Sequence, residues 1–551
     1  MIEPTRHLAH ARGALEPEAR MNKRTYQWKP ALAATLAVSA ITAVGFALST
    51  NAAPEQTLKL AVAKDTGKLN PHDYSSNFIA LSMVYEPLVK YGKGGKIEPA
   101  LAQSWSVAAD GLTIRFNLRR GVTFHDGTAF DSAAVKWNMD RWVGSSQHDW
   151  LPLTTGIAKI ETPNSGTVIL RLKKPYYAVL QELALVRPMR FLSPKAVDDK
   201  GEFRRAIGTG PWKFAEYRQA QNLRLEPYEK HWEKKRSRLT RVTFDVIPDA
   251  QTRVTAVLSG QLDIVGGEYL SSLPIESIPA LRSSPNVTLA TAEGSTTYML
   301  QTNFEKAPWN DARVRRAINL AIDRETISRK VFAGLAKPAH GILPANLPYV
   351  DQPNPASYAF DPDGAKKLLA QAGFEPGANG ILVRDGKPLK ATLVTTQDVF
   401  PQAKTLSEIV QDQLRNIGID FNIEVMNSDA FYARLSKGQY DVATNITWGA
   451  PYDPHSSLVS LFKIDPNNRN STRVYGDAKL NTMVDEVLAT PSEALRRARY
   501  NAIWRYLDSV SAGIPLVSSS RTYAVRKGVE GFGMSATEYE LDLHSLRIES
   551  R

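Results

Sequence analysis

LVTTQDVFPQAKTLSEIVQDQLRNIGIDFNIEV, Leu393 to Val425, changes its hydrophobic period twice. Leu393–Thr396 is a short apolar strand. From about Pro401 to Asn416 the apolar residues Leu406, Ile409, Val410, Leu414 and Ile417 recur at helical spacing. Gly418 stands where a helix stops in the left-handed conformation, and Ile419–Val425 alternates as a second strand. Strand, helix and strand in this order predict a βαβ unit with a parallel pair, hence a mixed α/β domain.

The same grammar recurs elsewhere. VTFDVIP (Val242–Pro248) reads as a strand, Asp249 caps a helix with Val254, Val257 and Leu258 on one face, Gly260 ends it, and LDIV (Leu262–Val265) is the next strand. Asp311–Phe332 carries Val314, Ala317, Ile318, Ala321 and Ile322 at helical spacing and is expected to be one helix. In DPDGAKKLLAQAG, Asp361 caps, Pro362 fills the first turn and Gly373 stops the helix. Residues from about 98 to 200 have another texture. Asp110-Gly111 marks a turn, while LTIRFNLR (Leu112–Arg119) and GTVILRLK (Gly166–Lys173) alternate as half-exposed antiparallel strands. An inserted α+β segment between stretches of α/β character predicts domains that the chain enters more than once. Such domains hinge at their crossing strands and enclose a cleft.

At 551 residues the chain is long for one core, so two or three domains are expected. Its charge of +12 is spread without a basic, aromatic-interleaved stripe, so nucleic-acid binding is not expected. The absence of Cys removes disulfides, thiolate nucleophiles, Cys-based metal sites and a lipid-modified N-terminal Cys. Lys23, Arg24 and Lys29 precede the apolar run ALAATLAVSAITAVGFAL (Ala31–Leu48), and small residues follow up to Pro54. This order predicts a signal peptide cleaved between Ser49 and Ala53, against the competing reading of a membrane span. Met21 gives a signal of more usual length. No GxSxG, P-loop or HExxH spacing points to an enzyme.

LAQSWSVAADGLTIRFNLRRGVTFHDGTAF (Leu101–Phe130), IGTGPWKF (Ile207–Phe214), RRAINLAIDR (Arg315–Arg324) and DPDGAKKLLAQAGF (Asp361–Phe374) resemble family 5 of the ABC importer solute-binding proteins, the peptide and nickel type. The likeness covers almost the whole chain after the leader. It implies a type II periplasmic binding protein fold of class α/β, with three domains and a hinged ligand cleft. The expected division is leader 1–53; discontinuous domain I at 54–97, about 205–290 and about 520–551; inserted α+β domain II at 98–204; and α/β domain III at 291–519. A periplasmic, monomeric carrier without catalysis, delivering its ligand to a membrane permease, is also implied.

LNPHDYSSN (Leu69–Asn77), SMVYEPLVKY (Ser82–Tyr91), YYAVLQELALVRPMRF (Tyr176–Phe191) and TWGAPYDPH (Thr447–His455) are similar to the nickel-binding branch of that family. There the metal arrives inside a small chelator with carboxylates, such as histidine. The resemblance implies that Arg187 holds the chelator's carboxylate, that Trp448, Tyr452, Trp150 and Tyr432 line the chelate, and that Thr537 is a polar wall. Gln147 replaces a second arginine of the branch and Ile79 a methionine. LFKIDPNNRNSTR (Leu461–Arg473) lacks the histidine that a mobile loop supplies to nickel. His72 and His148 remain as candidate metal ligands. Each residue also has a plainer reading. Arg187 can be a salt-bridged surface group, Trp448 and Tyr452 core aromatics, and Asp453 a helix cap. His455 can be a satisfied helical residue, and His72 and His148 hydrogen-bonded loop residues. The competing function is a di- or oligopeptide carrier. A peptide's amino terminus requires a nearby acid, and none lies between Trp448 and Asp453.

Overall fold

The computed structural model describes residues 56–549 apart from 235–236, 352–354, 399, 448–452 and 465–472. The expected leader lies outside the described residues. One mixed sheet organises the rest. From one edge its strands are Asp420–Val425, Lys390–Thr395, Val442–Ile446, Val287–Thr302, Ile514–Arg526, Ile264–Gly266, Thr57–Val62, Arg241–Val246, Asn222–Pro227 and Trp212–Arg218. The short strand Lys337–Pro338 pairs off Ile514–Arg526.

The βαβ unit is present as expected. Lys390–Thr395 and Asp420–Val425 pair in parallel, with Leu393 opposite Ile423. The helix between them, Ala403–Arg415, buries Leu406, Val410 and Leu414. Gly418 has φ +86°, and a Cβ there would lie 2.6 Å from the Leu382 side chain. The second unit forms too, with Asp249 accepting from the Thr252 amide at 2.7 Å to cap Ala250–Leu258. Its two strands are not neighbours, because Thr57–Val62 lies between them, parallel to both.

The expected single helix Asp311–Phe332 is two helices, Ala312–Ala321 and Arg324–Phe332. Ile322 is extended, with φ −96° and ψ 114°, and Asp323 caps the second helix on the Thr326 amide at 3.0 Å. An Asp gains more from capping than from a helix interior. The buried Arg324 then donates to the Asn319 carbonyl at 2.9 Å and the Ile322 carbonyl at 3.3 Å, satisfying carbonyls freed by the break.

A separate antiparallel sheet has the order Ala102–Val107, Thr113–Leu118, Thr167–Leu172 and Ile157–Asn164. The helix Ser132–Trp142 packs on it, with Trp142 fully buried. In the large sheet two long strands, Val287–Thr302 and Ile514–Arg526, lie antiparallel and join the half built on Lys390–Thr395 to the half built on Thr57–Val62. Their register slips between Glu293 and Thr297. Near the sheet's Thr57 strand, Gln56 clasps the backbone of Ile548, donating to its carbonyl at 2.8 Å and accepting from its amide at 2.9 Å.

Candidate functional site

Arg187 follows the short helix Val179–Leu183. Its guanidinium carbon lies 3.9 Å from the Phe78 ring centroid and 5.4 Å from that of Tyr74. Nη1 donates to the Tyr74 carbonyl and, at 3.2 Å, to that of Ser76. Nε has no partner among the described residues, and Asp73 acts on the group only at longer range. Burial lowers the Arg187 pKa while Tyr269, Asp73 and Tyr74 oppose the shift. A cationic fork set between rings, with a donor unspent, suits a carboxylate. Asn77 prepares this wall. Its side-chain oxygen caps Phe78–Val84 by accepting from Ile79 and Ala80, and its amide donates to the Tyr269 carbonyl at 2.6 Å. Ile79 itself is fully buried in the core.

The Tyr74 hydroxyl gathers two further expected residues. It accepts from Trp150 Nε1 at 2.7 Å and lies 2.7 Å from His148 Nδ1. An indole N–H only donates, so the Tyr74 phenol proton is left free for Nδ1 of a neutral His148 ring. Burial lowers the His148 pKa, which favours this neutral form. Trp150 remains 47% and Tyr74 38% exposed, so both offer ring faces to solvent. His72 is engaged elsewhere. Its Nε2 donates to the Arg190 carbonyl at 3.0 Å, and burial pushes its pKa down to about 3. Its Nδ1 is left as a buried acceptor without a partner among the described residues.

Thr537 is only 1% exposed, and its hydroxyl has no partner among the described residues. Glu538 beside it is as deeply buried. Its Oε1 accepts from the Ser295 amide at 2.7 Å and the Ser295 hydroxyl at 3.0 Å, while Oε2 has no hydrogen-bond partner among the described residues. The slip between the two long strands is what frees the Ser295 amide from the ladder. The Glu268 side chain is exposed, yet surrounding protein, and then the Glu538 carboxyl, push its pKa well above the ordinary value. Gly266 and Gly267 precede Glu268. At Gly267 φ is +73° and a Cβ would lie 2.3 Å from the Tyr523 ring. Gly267→Ala is therefore expected to cost about 2–3 kcal/mol of stability. Denaturant unfolding checks this, and wild-type stability would contradict it.

Thr447 exchanges two bonds with Thr297, accepting from its amide at 2.8 Å and donating to its carbonyl at 3.0 Å. The TWGAPYDPH stretch thus leaves the sheet two residues from Ser295. Trp448 and Tyr452 lie outside the described residues. At the far end, Asp453 Oδ1 accepts from the Tyr177 hydroxyl at 2.5 Å and the His455 amide at 3.1 Å, and lies 3.0 Å from His455 Nδ1. His455 Nε2 is 3.6 Å from Glu182 Oε1. Glu182 also accepts from the Leu153 amide at 2.9 Å and from the Tyr176 hydroxyl. Burial alone would lower the His455 pKa, but hydrogen bonds and charges from Asp453 and Glu182 lift it to about 9. His455 is thus a buried imidazolium between two carboxylates.

Arg187, Trp150 and His148 come together through Tyr74, while Thr537 is buried two residues before Tyr539, whose ring lies 6.0 Å from that of Phe78. Tyr432 stands apart on Ser428–Ser436, packed against Phe431 among Val394, Leu435 and Ala443. Sequence reasoning missed Phe78, Glu268, Tyr269 and Glu538, although Glu538 directly follows Thr537. Among the described residues no cluster of three or more His, Asp or Glu is placed to hold a metal ion. An open pocket of about 430 Å³, lined by Lys68, Asp73, Ser75, Arg141 and Tyr217, shares the 65–76 loop but not the Arg187 wall. It is polar, and Arg141, whose guanidinium carbon lies 4.9 Å from the Trp137 ring centroid, lines it with Phe203 and Tyr217.

The model of bacterial extracellular solute-binding proteins, family 5 Middle, matches residues 96–469. A nickel-binding periplasmic protein of Escherichia coli (strain K12) is 34% identical over 476 residues, covering 84% of this chain and 89% of its own length. A glutathione-binding protein, GsiB of Salmonella paratyphi A, is 28% identical over 513 residues, covering 89% and 95%. The crystal structure of NikA from Brucella suis in complex with Fe(III)-EDTA matches with a TM-score of 0.82 and 32% identity, covering 90% of this chain and all of that one.

Proposed function

The chain belongs to the family 5 bacterial extracellular solute-binding proteins, and we propose that its solute is a chelate of nickel or a similar transition metal. It has the mixed α/β fold of periplasmic binding proteins and serves an ABC importer. The chelator on this reading is a small carboxylate ligand such as histidine, and the membrane permease receives the cargo from a monomeric carrier. The observation that carries the reading is Arg187, a buried-edge guanidinium over Phe78 and Tyr74 with no hydrogen-bond partner on Nε among the described residues. Trp150, tethered to Tyr74 yet exposed, supplies a stacking face. A metal inside a chelator brings its own donors, so the protein needs no three-ligand cluster.

The ligand cleft on this reading lies between the 98–204 domain with its domain I neighbours and the 291–519 domain. The two long strands act as the hinge. Contacts made only in the closed form shift the equilibrium toward closure. Relatives in the family are solute-binding proteins, and the chain is read here as a carrier without catalysis. A second reading, a di- or oligopeptide carrier, draws on the glutathione-binding relative. Calorimetric titration with nickel alone, nickel plus excess histidine, and a dipeptide mixture separates them. Binding that requires both nickel and histidine supports the chelate. Binding of dipeptides alone moves the assignment to the second reading.

A further inference from the structure

Trp150 hangs on one hydrogen bond. Among the described residues its indole N–H bonds to the Tyr74 hydroxyl at 2.7 Å, and its one ring neighbour is Tyr74 again, with centroids 6.1 Å apart and planes tilted by 59°. The setting of this exposed face therefore depends on what the Tyr74 hydroxyl does with its own proton. A hydroxyl has one proton to give and lone pairs to accept with. A phenol proton aimed at the indole would set hydrogen against hydrogen and break the bond. A second acceptor must take that proton, and His148 Nδ1 lies 2.7 Å from the same oxygen. Burial, which keeps His148 neutral, leaves that nitrogen able to accept.

Both members of the relay are anchored by bonds that leave the working atoms alone. His148 is 2% exposed. Its amide donates to the Ser145 carbonyl at 3.0 Å, and its carbonyl accepts from the Thr154 hydroxyl at 2.7 Å and the Leu151 amide at 3.0 Å. The loop that carries Tyr74 is held at Leu69, whose carbonyl accepts from the Tyr85 hydroxyl at 2.8 Å and whose amide donates to the Ser76 hydroxyl at 3.0 Å. Tyr74 also meets the cation of the site, because Arg187 donates to its carbonyl and lies 5.4 Å from its ring centroid. One residue thus joins the stacking face to the guanidinium, and a buried imidazole sets which way its hydroxyl faces.

We propose that His148 is a positioning residue of the ligand site: by accepting the Tyr74 phenol proton it keeps the hydroxyl oxygen open to the Trp150 indole N–H, and so fixes the stacking face relative to Arg187. This rests on the solute-carrier reading and gives His148 a role other than metal ligation, since its Nδ1 is already engaged. A ring set before the ligand arrives has less rotamer freedom to lose on binding, so the relay adds affinity without touching the ligand.

The test labels the whole protein with fluorotryptophan and follows the Trp150 fluorine signal, identified as the one missing from Trp150→Phe. In the ligand-free protein, Tyr74→Phe and His148→Leu should each move or broaden that signal. His148→Asn should leave it in place, because the Asn side-chain oxygen stands near the position of Nδ1 and accepts the phenol proton. Calorimetry with nickel plus histidine should show affinity about three- to tenfold weaker in Tyr74→Phe and in His148→Leu, no weaker in the double variant, and restored in His148→Asn. With Trp150 already replaced by Ala, neither Tyr74→Phe nor His148→Leu should weaken binding further, a pattern that general damage to the fold does not give. An unmoved Trp150 signal in His148→Leu overturns the inference, as does a loss of affinity that persists undiminished without Trp150. His148→Asn with the signal in place but binding lost makes His148 a metal ligand and overturns it too. Failure of the carrier reading has a different mark: the signal responds as expected, yet the wild type binds neither nickel plus histidine nor a dipeptide mixture, and the inference about ligand binding then falls with that reading.

Discussion

Replacing His455 by Leu is expected to lower the unfolding free energy by about 3–5 kcal/mol, because it strands Glu182 and Asp453 as buried carboxylates. His455, Asp453 and Glu182 are each at most 3% exposed. Their network draws Tyr176, Tyr177 and Glu182, from the stretch before Arg187, onto the start of the helix His455–Phe462. The same group sets a pH dependence whose sign follows from its shift. The His455 pKa rises from 6.5 unfolded to about 9 folded. Its contribution is therefore complete below pH 6.5 and is lost as pH rises through 9. The total is about 3 kcal/mol. Denaturant titrations at pH 6, 7.5 and 9.5 check both statements. A variant with wild-type stability and the wild-type pH slope would refute them.

Arg187→Ala is expected to weaken a carboxylate-bearing chelate by about 30- to 1,000-fold, roughly 2–4 kcal/mol. Folding stability should change by no more than about 1 kcal/mol, since the side chain gives up two carbonyl bonds at a partly open position. Arg187→Lys should recover little, because an ammonium lacks the planar fork and does not stack in the same way over Phe78. Nickel presented with histidinamide instead of histidine supplies the reciprocal control. With no carboxylate to hold, it should bind wild type and Arg187→Ala alike. Equal loss of both ligands would point to a collapsed wall, and no loss of either would remove Arg187 from the site.

Local grammar was legible in the sequence wherever one segment decided the outcome. The Leu393–Val425 unit and the caps at Asp249 and Asp361 follow from spacing and from residues that end helices. The break at Ile322-Asp323 was hidden because apolar periodicity runs through it. Only the competition between a capping Asp and a helical one, settled by the buried Arg324, reveals it. Sheet neighbours are long-range, so nothing local could place Thr57–Val62 between strands about 200 residues away. The site was legible in part for a similar reason. Arg187 and Trp150 were singled out by resemblance to the nickel-binding branch. Tyr74 becomes informative only once Trp150 and His148 reach its hydroxyl.

The position of Thr57–Val62 governs how the protein reaches its native state. Its two neighbours are made of residues 241–246 and 264–266, and the next strand out is Ile514–Arg526. The strands of that half all lie within residues 57–266, but the outer side of Ile264–Gly266 stays unpaired until residues 514–526 have been delivered, and the Gln56 clasp on Ile548 waits longer still. Pairings of such long sequence separation carry a large loop-closure cost before any contact repays it. Refolding from denaturant should accordingly be slow compared with small helical proteins, and a chain shortened before residue 514 should be unable to complete the sheet. The topology thus leaves one edge of the early strands open until the last ones arrive and join the two halves of the sheet.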